Sequence, residues 1–204
     1  LGTVARVSGW LWRPQLDQPL TAVVFYPFGF LPQAWIPGAL NVFTALCASA
    51  VIMLLARSVV LLPPVVTRDE PFPTEQSLTL LSLRTAWIPP LLAALLCSLQ
   101  LSFWEHATSA NGEMIDLLVF AYVIRCLLEF RLDQKQFWLS RAAFVFGAGM
   151  ANNWAMIGFF PVFLVAILRV MGLQFFLQRH FALRMMAWGA AGLSLFLLLP
   201  LVQT

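Results

Sequence analysis

The chain has 204 residues, of which 61% are hydrophobic and 10% charged, and its net charge is +3. A soluble domain carries about 25% charged and about 45–50% apolar side chains, so these proportions and a mean hydropathy of +0.84 exclude one and point to a bilayer. The twelve basic residues fall mostly near the ends of apolar runs, as topology signals do, and nucleic acid is excluded as a partner.

The first 33 residues cannot form a straight span. Gly9-Trp10-Leu11-Trp12-Arg13-Pro14 is followed by Pro19, Pro27, Pro32 and Pro37, with aromatics between them. Repeated proline breaks helices, and Trp, Tyr and Phe favour the headgroup zone. Residues 1–33 are therefore predicted to be an outer interfacial segment, with short helices between Gln18 and Leu31. Residues 34–204 read as an all-α transmembrane helical domain, with spans at about 34–62, 86–103, 114–130 and 185–203. Each is long enough for the ~17–25 residues of a crossing.

Residues 138–168 are different. They begin and end beside basic residues, so the chain must go out and return, yet two full crossings at ~1.5 Å per residue do not fit. A hairpin of two short helices meeting at Asn152-Asn153 satisfies both constraints and would reach about 20–23 Å into the membrane. Asn side chains and freed backbone groups at such depth need protein or water around them. A cavity is the expected consequence.

Charge sorts the two sides. Arg57, Arg68 and Arg84 flank the polar loop Pro63 to Leu83; Arg125, Arg131, Lys135 and Arg141 flank a second; Arg169, Arg179 and Arg184, with His180, flank a third. Phe103 to Asp116 holds Glu105, Glu113 and Asp116 and no Lys or Arg. The positive-inside rule puts the three basic loops in the cytoplasm and the acidic stretch outside. Cys47, Cys97 and Cys126 lie in apolar runs without CxxC spacing, so they read as buried thiols and not as a zinc site or disulfide framework. Gly147-x-Gly149 and Gly189-x-x-Gly192 suit close helix packing.

The acidic stretch carries the candidate chemistry. Glu113 and Asp116 share a face of a helix and lie in its first turn, where the helix dipole favours negative charge. They are either dipole-complementing acids at a membrane surface or, with Glu105 and His106, the lining of a site. A carboxylate and an imidazole can share proton transfer or hold a divalent cation. His106 alone lacks the companions that zinc requires, so no metal ligand set is assigned. Asn152 and Asn153 either close the hairpin or line a polar cavity. Arg125, well inside its span, either snorkels to the inner surface or meets a phosphate.

Three segments resemble a known family. They are Leu31-Pro32-x-Ala34-Trp35-x-Pro37-x-x-Leu40-Asn41 before the long span, Phe103-Trp104-Glu105-x-Ala107-Thr108-x-x-x-Gly112-Glu113-Met114, and Phe146-Gly147-x-Gly149-Met150-x-Asn152-Asn153. In order and separation they resemble the DUF2723 family of bacterial membrane proteins. That family is related to the protein O-mannosyltransferases and so to the GT-C glycosyltransferase superfamily. The resemblance implies a GT-C-like polytopic module in the bacterial cytoplasmic (inner) membrane that transfers a sugar from a polyprenyl-phosphate donor at the outer face. It also implies that the chain is a fragment lacking the first span and the C-terminal part. The catalytic carboxylate of such proteins lies in the first outer loop, which is mostly absent here, so the 204-residue chain by itself is expected to be inactive.

The residues assigned to the chemistry are Glu113 first and Glu105 second as catalytic carboxylates. His106, Asp116, Arg13, Asn152 and Asn153 are assigned to phosphate, acceptor or cavity contacts. A divalent cation is the candidate cofactor, and membrane lipids, a polyprenyl-phosphate sugar and other membrane subunits are the candidate partners. The alternative is a non-catalytic structural subunit of a larger membrane complex, which a Trp- and Phe-rich surface also suits. A transporter is the weaker third reading, since no inverted repeat is visible.

Overall fold

The computed structural model describes residues 18–62, 87–109, 112–172 and 179–197, and these are helical with no strand among them. Arg13, Asp17, Arg68, Asn111 and the loop Pro63 to Leu83 lie outside the described residues. Among the described residues eight α-helices follow in chain order: α1 (Pro19–Phe25), α2 (Ile36–Val60), α3 (Ile88–Ser98), α4 (Leu101–Thr108), α5 (Glu113–Asp133), α6 (Gln136–Asn152), α7 (Phe160–Met171) and α8 (Arg179–Leu193). Short 3-10 turns extend α1 over Tyr26–Phe30, precede α7 over Trp154–Phe159 and continue α8 over Ser194–Leu197.

Proline positions explain several boundaries. Pro19, Pro37 and Pro161 each stand in the first turn of their helices, where the missing N–H costs nothing and the fixed φ favours entry. α2 stops at Val60, just before Pro63. α5 ends on Gln134 at φ 52, a left-handed conformation rare for a residue with a Cβ. The Gln134 backbone N–H donates to the Phe130 carbonyl, and its side-chain amide donates to that of Arg131, so the cap satisfies carbonyls the helix leaves open.

Three stretches are long and apolar enough to cross a membrane: Ile36–Val60, Trp154–Met171 and His180–Leu197. α5 is equally helical over 21 residues, but its charges, Glu113, Asp116, Arg125, Glu129, Arg131 and Asp133, make it less apolar. The single span expected over 86–103 is not one straight helix. α3 ends at Ser98, and α4 leaves at 68° after a break at Leu99-Gln100. No proline or glycine marks that break. Instead the Trp104 indole N–H donates to the Ser98 carbonyl that the break frees, so one orphaned group finds a partner outside its helix. The last span begins earlier than 185, at His180.

The helices pack in the order α8, α6, α5, α2, α3. α6 and α8 run parallel at close range, with Arg184 donating to Gln136 at one end and Phe144 stacked edge-on against Trp188 further along. A Cβ on Gly147 would strike the Gly189 carbonyl, and one on Gly192 the Phe144 carbonyl. Glycine is required there because backbone meets backbone. α6 ends at Asn152, Asn153 is extended (φ −143, ψ 110), and the chain turns back. Phe146 on the way out meets Phe160 and Phe163 on the way back, at centroid distances of 6.2 and 5.4 Å. The chain therefore turns back at Asn153, but the second arm, Trp154–Met171, is long and apolar enough to cross a membrane and is not the short helix expected.

Candidate functional site

Two polar clusters sit at opposite ends of this bundle. α2 and α5 run parallel, so Glu113, Asp116 and His106 gather at one end and Arg57, Arg125 and Glu129 toward the other.

At the acidic end the N-terminus of α5 meets the C-terminus of α6. Asn152 Nδ2 donates to Asp116 Oδ1, and Asn153 Nδ2 donates to Asp116 Oδ2 at 2.9 Å. Each carboxylate oxygen thus receives one amide donor. The Asn152 Oδ1 accepts from the Thr21 backbone N–H at 2.9 Å and from the Thr21 hydroxyl at 3.2 Å. Thr21 lies in the first turn of α1, where backbone N–H groups have no partner within the helix, so Asn152 caps α1 from another helix. The Asn153 Oδ1 accepts from the Ala155 backbone N–H at 3.0 Å and opens the turn that leads into α7.

This network ties three helices together at one carboxylate. Asn152 is 1% exposed, and both ends of its amide are occupied. Its oxygen accepts twice from Thr21 and its nitrogen donates to Asp116. Its hydrogen bonds close the turn at Asn153 onto α5 and α1. Gly112 completes the fit, since a Cβ there would come within 2.7 Å of the Thr21 hydroxyl. Thr21 was not legible as a site residue: nothing in the sequence connects it to Asn152, 131 positions away.

Glu113 points elsewhere. Its carboxylate pairs with His106 Nδ1, and the two side chains are 56% and 43% exposed. They border a groove of about 160 Å³ between α4 and α5, which Gln100, Ser102, Phe103 and Leu117 also line. The groove is therefore on the α4 side of α5 and not between α5 and α1, whereas Asp116 faces the end of α6. Glu105 is exposed on α4 and forms no ion pair or hydrogen bond with the described residues. Among the described residues, no three His, Cys, Asp or Glu side chains gather to hold a metal ion.

A second, apolar groove of about 650 Å³ runs along the first half of α2, between Phe28, Trp35, Gly38, Val42 and Leu46. Toward the other end of the bundle, Arg57 Nε and Nη2 donate to Glu129 Oε1 at 3.3 and 3.2 Å, and Arg125 Nε lies 3.7 Å from the same oxygen. Glu129 is 7% exposed. The Arg125–Glu129 spacing of four residues is the signal in the sequence that points to this pair.

A protein-family model described as Protein O-mannosyl-transferase TMEM260 N-terminal domain matches residues 17–174. Neither a curated protein nor a solved structure matches the chain. The match covers α1 to α7 with both polar clusters, more than three quarters of the sequence, and so the chain belongs to the family of the Protein O-mannosyl-transferase TMEM260 N-terminal domain.

Proposed function

We propose that the chain is the membrane module of an O-mannosyltransferase-like glycosyltransferase, of the GT-C type and close to the DUF2723 proteins it resembles. In this reading it sits in a bacterial cytoplasmic membrane, with the acidic end at the outer face and α1 along the outer interface. The donor is a sugar on a polyprenyl phosphate. The observation that carries the reading is the Glu113–His106 pair: two exposed ionisable groups in contact, beside a groove, within an otherwise apolar chain. Ionisable groups are sparse in a membrane chain, and a pair of them in contact beside a groove supports a site there.

The chemistry assigned to Glu113 is that of a general base. The acceptor hydroxyl oxygen bonds to the anomeric carbon as the bond from that carbon to the carrier phosphate breaks. The hydroxyl proton passes to the Glu113 carboxylate, and the electron pair leaves with the polyprenyl phosphate. His106 holds the carboxylate in place, and the first-turn position of Glu113 adds the field of the α5 dipole. Asp116, Asn152 and Asn153 are positioning residues, because their polar atoms bind one another.

The test is an in vitro transfer assay with polyprenyl-phosphate mannose and the longest native form of the protein. Glu113→Gln is expected to lose about 100-fold or more of the rate while circular dichroism and membrane insertion stay unchanged. Undiminished transfer by that variant removes Glu113 from the chemistry. No transfer by the longest native form supports the structural-subunit reading.

A further inference from the structure

We propose that Arg57 and Arg125 form a binding site for the phosphate of an anionic membrane lipid, at the end of the bundle opposite Glu113. Two guanidinium groups here share one carboxylate. Both the hydrogen bonds and the ion pairs fall on a single oxygen, Glu129 Oε1, which leaves the cluster, among the described residues, one positive charge in excess. Donors are in excess too, since a guanidinium carries five N–H groups. Arg57 uses Nε and Nη2, and its Nη1 makes no hydrogen bond with the described residues. Arg125 Nε is buried without a hydrogen bond, its 3.7 Å approach to Glu129 being an ion pair only.

The position is as informative as the count. Arg125 lies eight residues before the end of α5 at Asp133, about 12 Å inside the helix end at ~1.5 Å per residue. A net positive charge at that depth is costly unless an anion meets it or the side chain snorkels out. The Arg125 side chain is 31% exposed and that of Arg57 48%, so both are reachable from outside the bundle. A phosphodiester offers the acceptor oxygens and the single negative charge that the cluster lacks, and guanidinium groups match it in shape. A lipid brings that phosphate to the membrane boundary with its acyl chains along the apolar flank of α2, where Met53 is 66% exposed. Free phosphate shares the chemistry and is the other source. The cytoplasmic leaflet, which the basic end faces on the topology proposed above, is the anionic one.

The site is independent of the transferase reading and is tested without it. The full-length protein is placed in nanodiscs of phosphatidylglycerol and phosphatidylcholine, and lipid retention is read by native mass spectrometry. Preferential retention of one phosphatidylglycerol is expected, falling about fivefold for Arg125→Gln and again for Arg57→Gln. Arg169→Gln, at the exposed end of α7, is expected to leave the preference unchanged, which separates a site from general basic attraction. Glu129→Gln sharpens the test: removing the shared carboxylate raises the preference, whereas a cluster that only braces α2 against α5 would lose it. Arg125→Lys guards against misfolding, since it keeps the charge and is expected to retain part of the preference. Equal retention of the two lipids, or equal losses for Arg125→Gln and Arg169→Gln, overturns the proposal. Complete displacement of the lipid by millimolar inorganic phosphate assigns the site to free phosphate and overturns it as well.

Discussion

The two ends of the bundle solve the same problem in opposite ways. Both place a carboxylate among apolar helices. At the acidic end Asp116 is met by two neutral amides, one per oxygen, and the Asn152 amide is itself satisfied by Thr21. At the basic end Glu129 is met by two cations on one oxygen, and donors are left over. The first cluster is closed and joins α1, α5 and α6; the second joins α2 and α5 with charge to spare. A closed dipolar network works as scaffolding, because each polar atom it buries has its partner. An overcharged cluster is where a ligand from outside has something to add.

This contrast yields an order of effects. The largest is expected at the closed end. Asn152→Ala removes the donor to Asp116 Oδ1 and the acceptor for Thr21 together, leaving buried groups unsatisfied at roughly 2–4 kcal/mol. Thermal unfolding in detergent should show a clear fall in midpoint, with α1 gaining protease sensitivity as its cap is lost. A midpoint within a degree of wild type would mean that the network is not holding the hairpin to α5.

Arg57→Gln at the basic end is expected to cost less, about 1–2 kcal/mol. Glu129 loses its closest donor, but Arg57 is nearly half exposed and solvent screens much of its contribution. The same unfolding measurement ranks the two variants. A larger loss for Arg57→Gln than for Asn152→Ala would reverse the assignment of which end is scaffolding.

The smallest effect lies beyond the basic cluster, at Asp133. Its carboxyl is held below the usual aspartate range by the Trp138 indole N–H and then by Lys135, through a hydrogen bond and its charge. A depressed carboxylate contributes stability that is present above its unfolded pKa and is lost as pH falls through the folded value. Stability should therefore decline slightly on acidification below the ordinary aspartate range, and Asp133→Asn should flatten that part of a midpoint-against-pH curve. An unchanged slope in the variant would remove Asp133 from the account.

The apolar composition determined the all-α membrane class, because a chain with so few charges cannot face water on all sides. The turn at Asn153 was legible in the Asn152-Asn153 pair, but the length of the arm that follows it, Trp154–Met171, was not. The glycines of α6 and α8 were legible as packing positions, since small residues at helical spacing permit close approach. The break at Leu99-Gln100 was not legible, because no proline or glycine signals it and the bend depends on what α3 and α4 pack against. Nor was the division of labour among the acids. Spacing put Glu113 and Asp116 on one face of a helix, but one meets His106 on α4 and the other meets Asn152 and Asn153 at the end of α6. Periodicity reports which side of a helix a residue occupies. Only the tertiary structure decides which neighbour comes within about 3 Å of it, and that contact separates a carboxylate bound into the scaffold from one left exposed beside a groove.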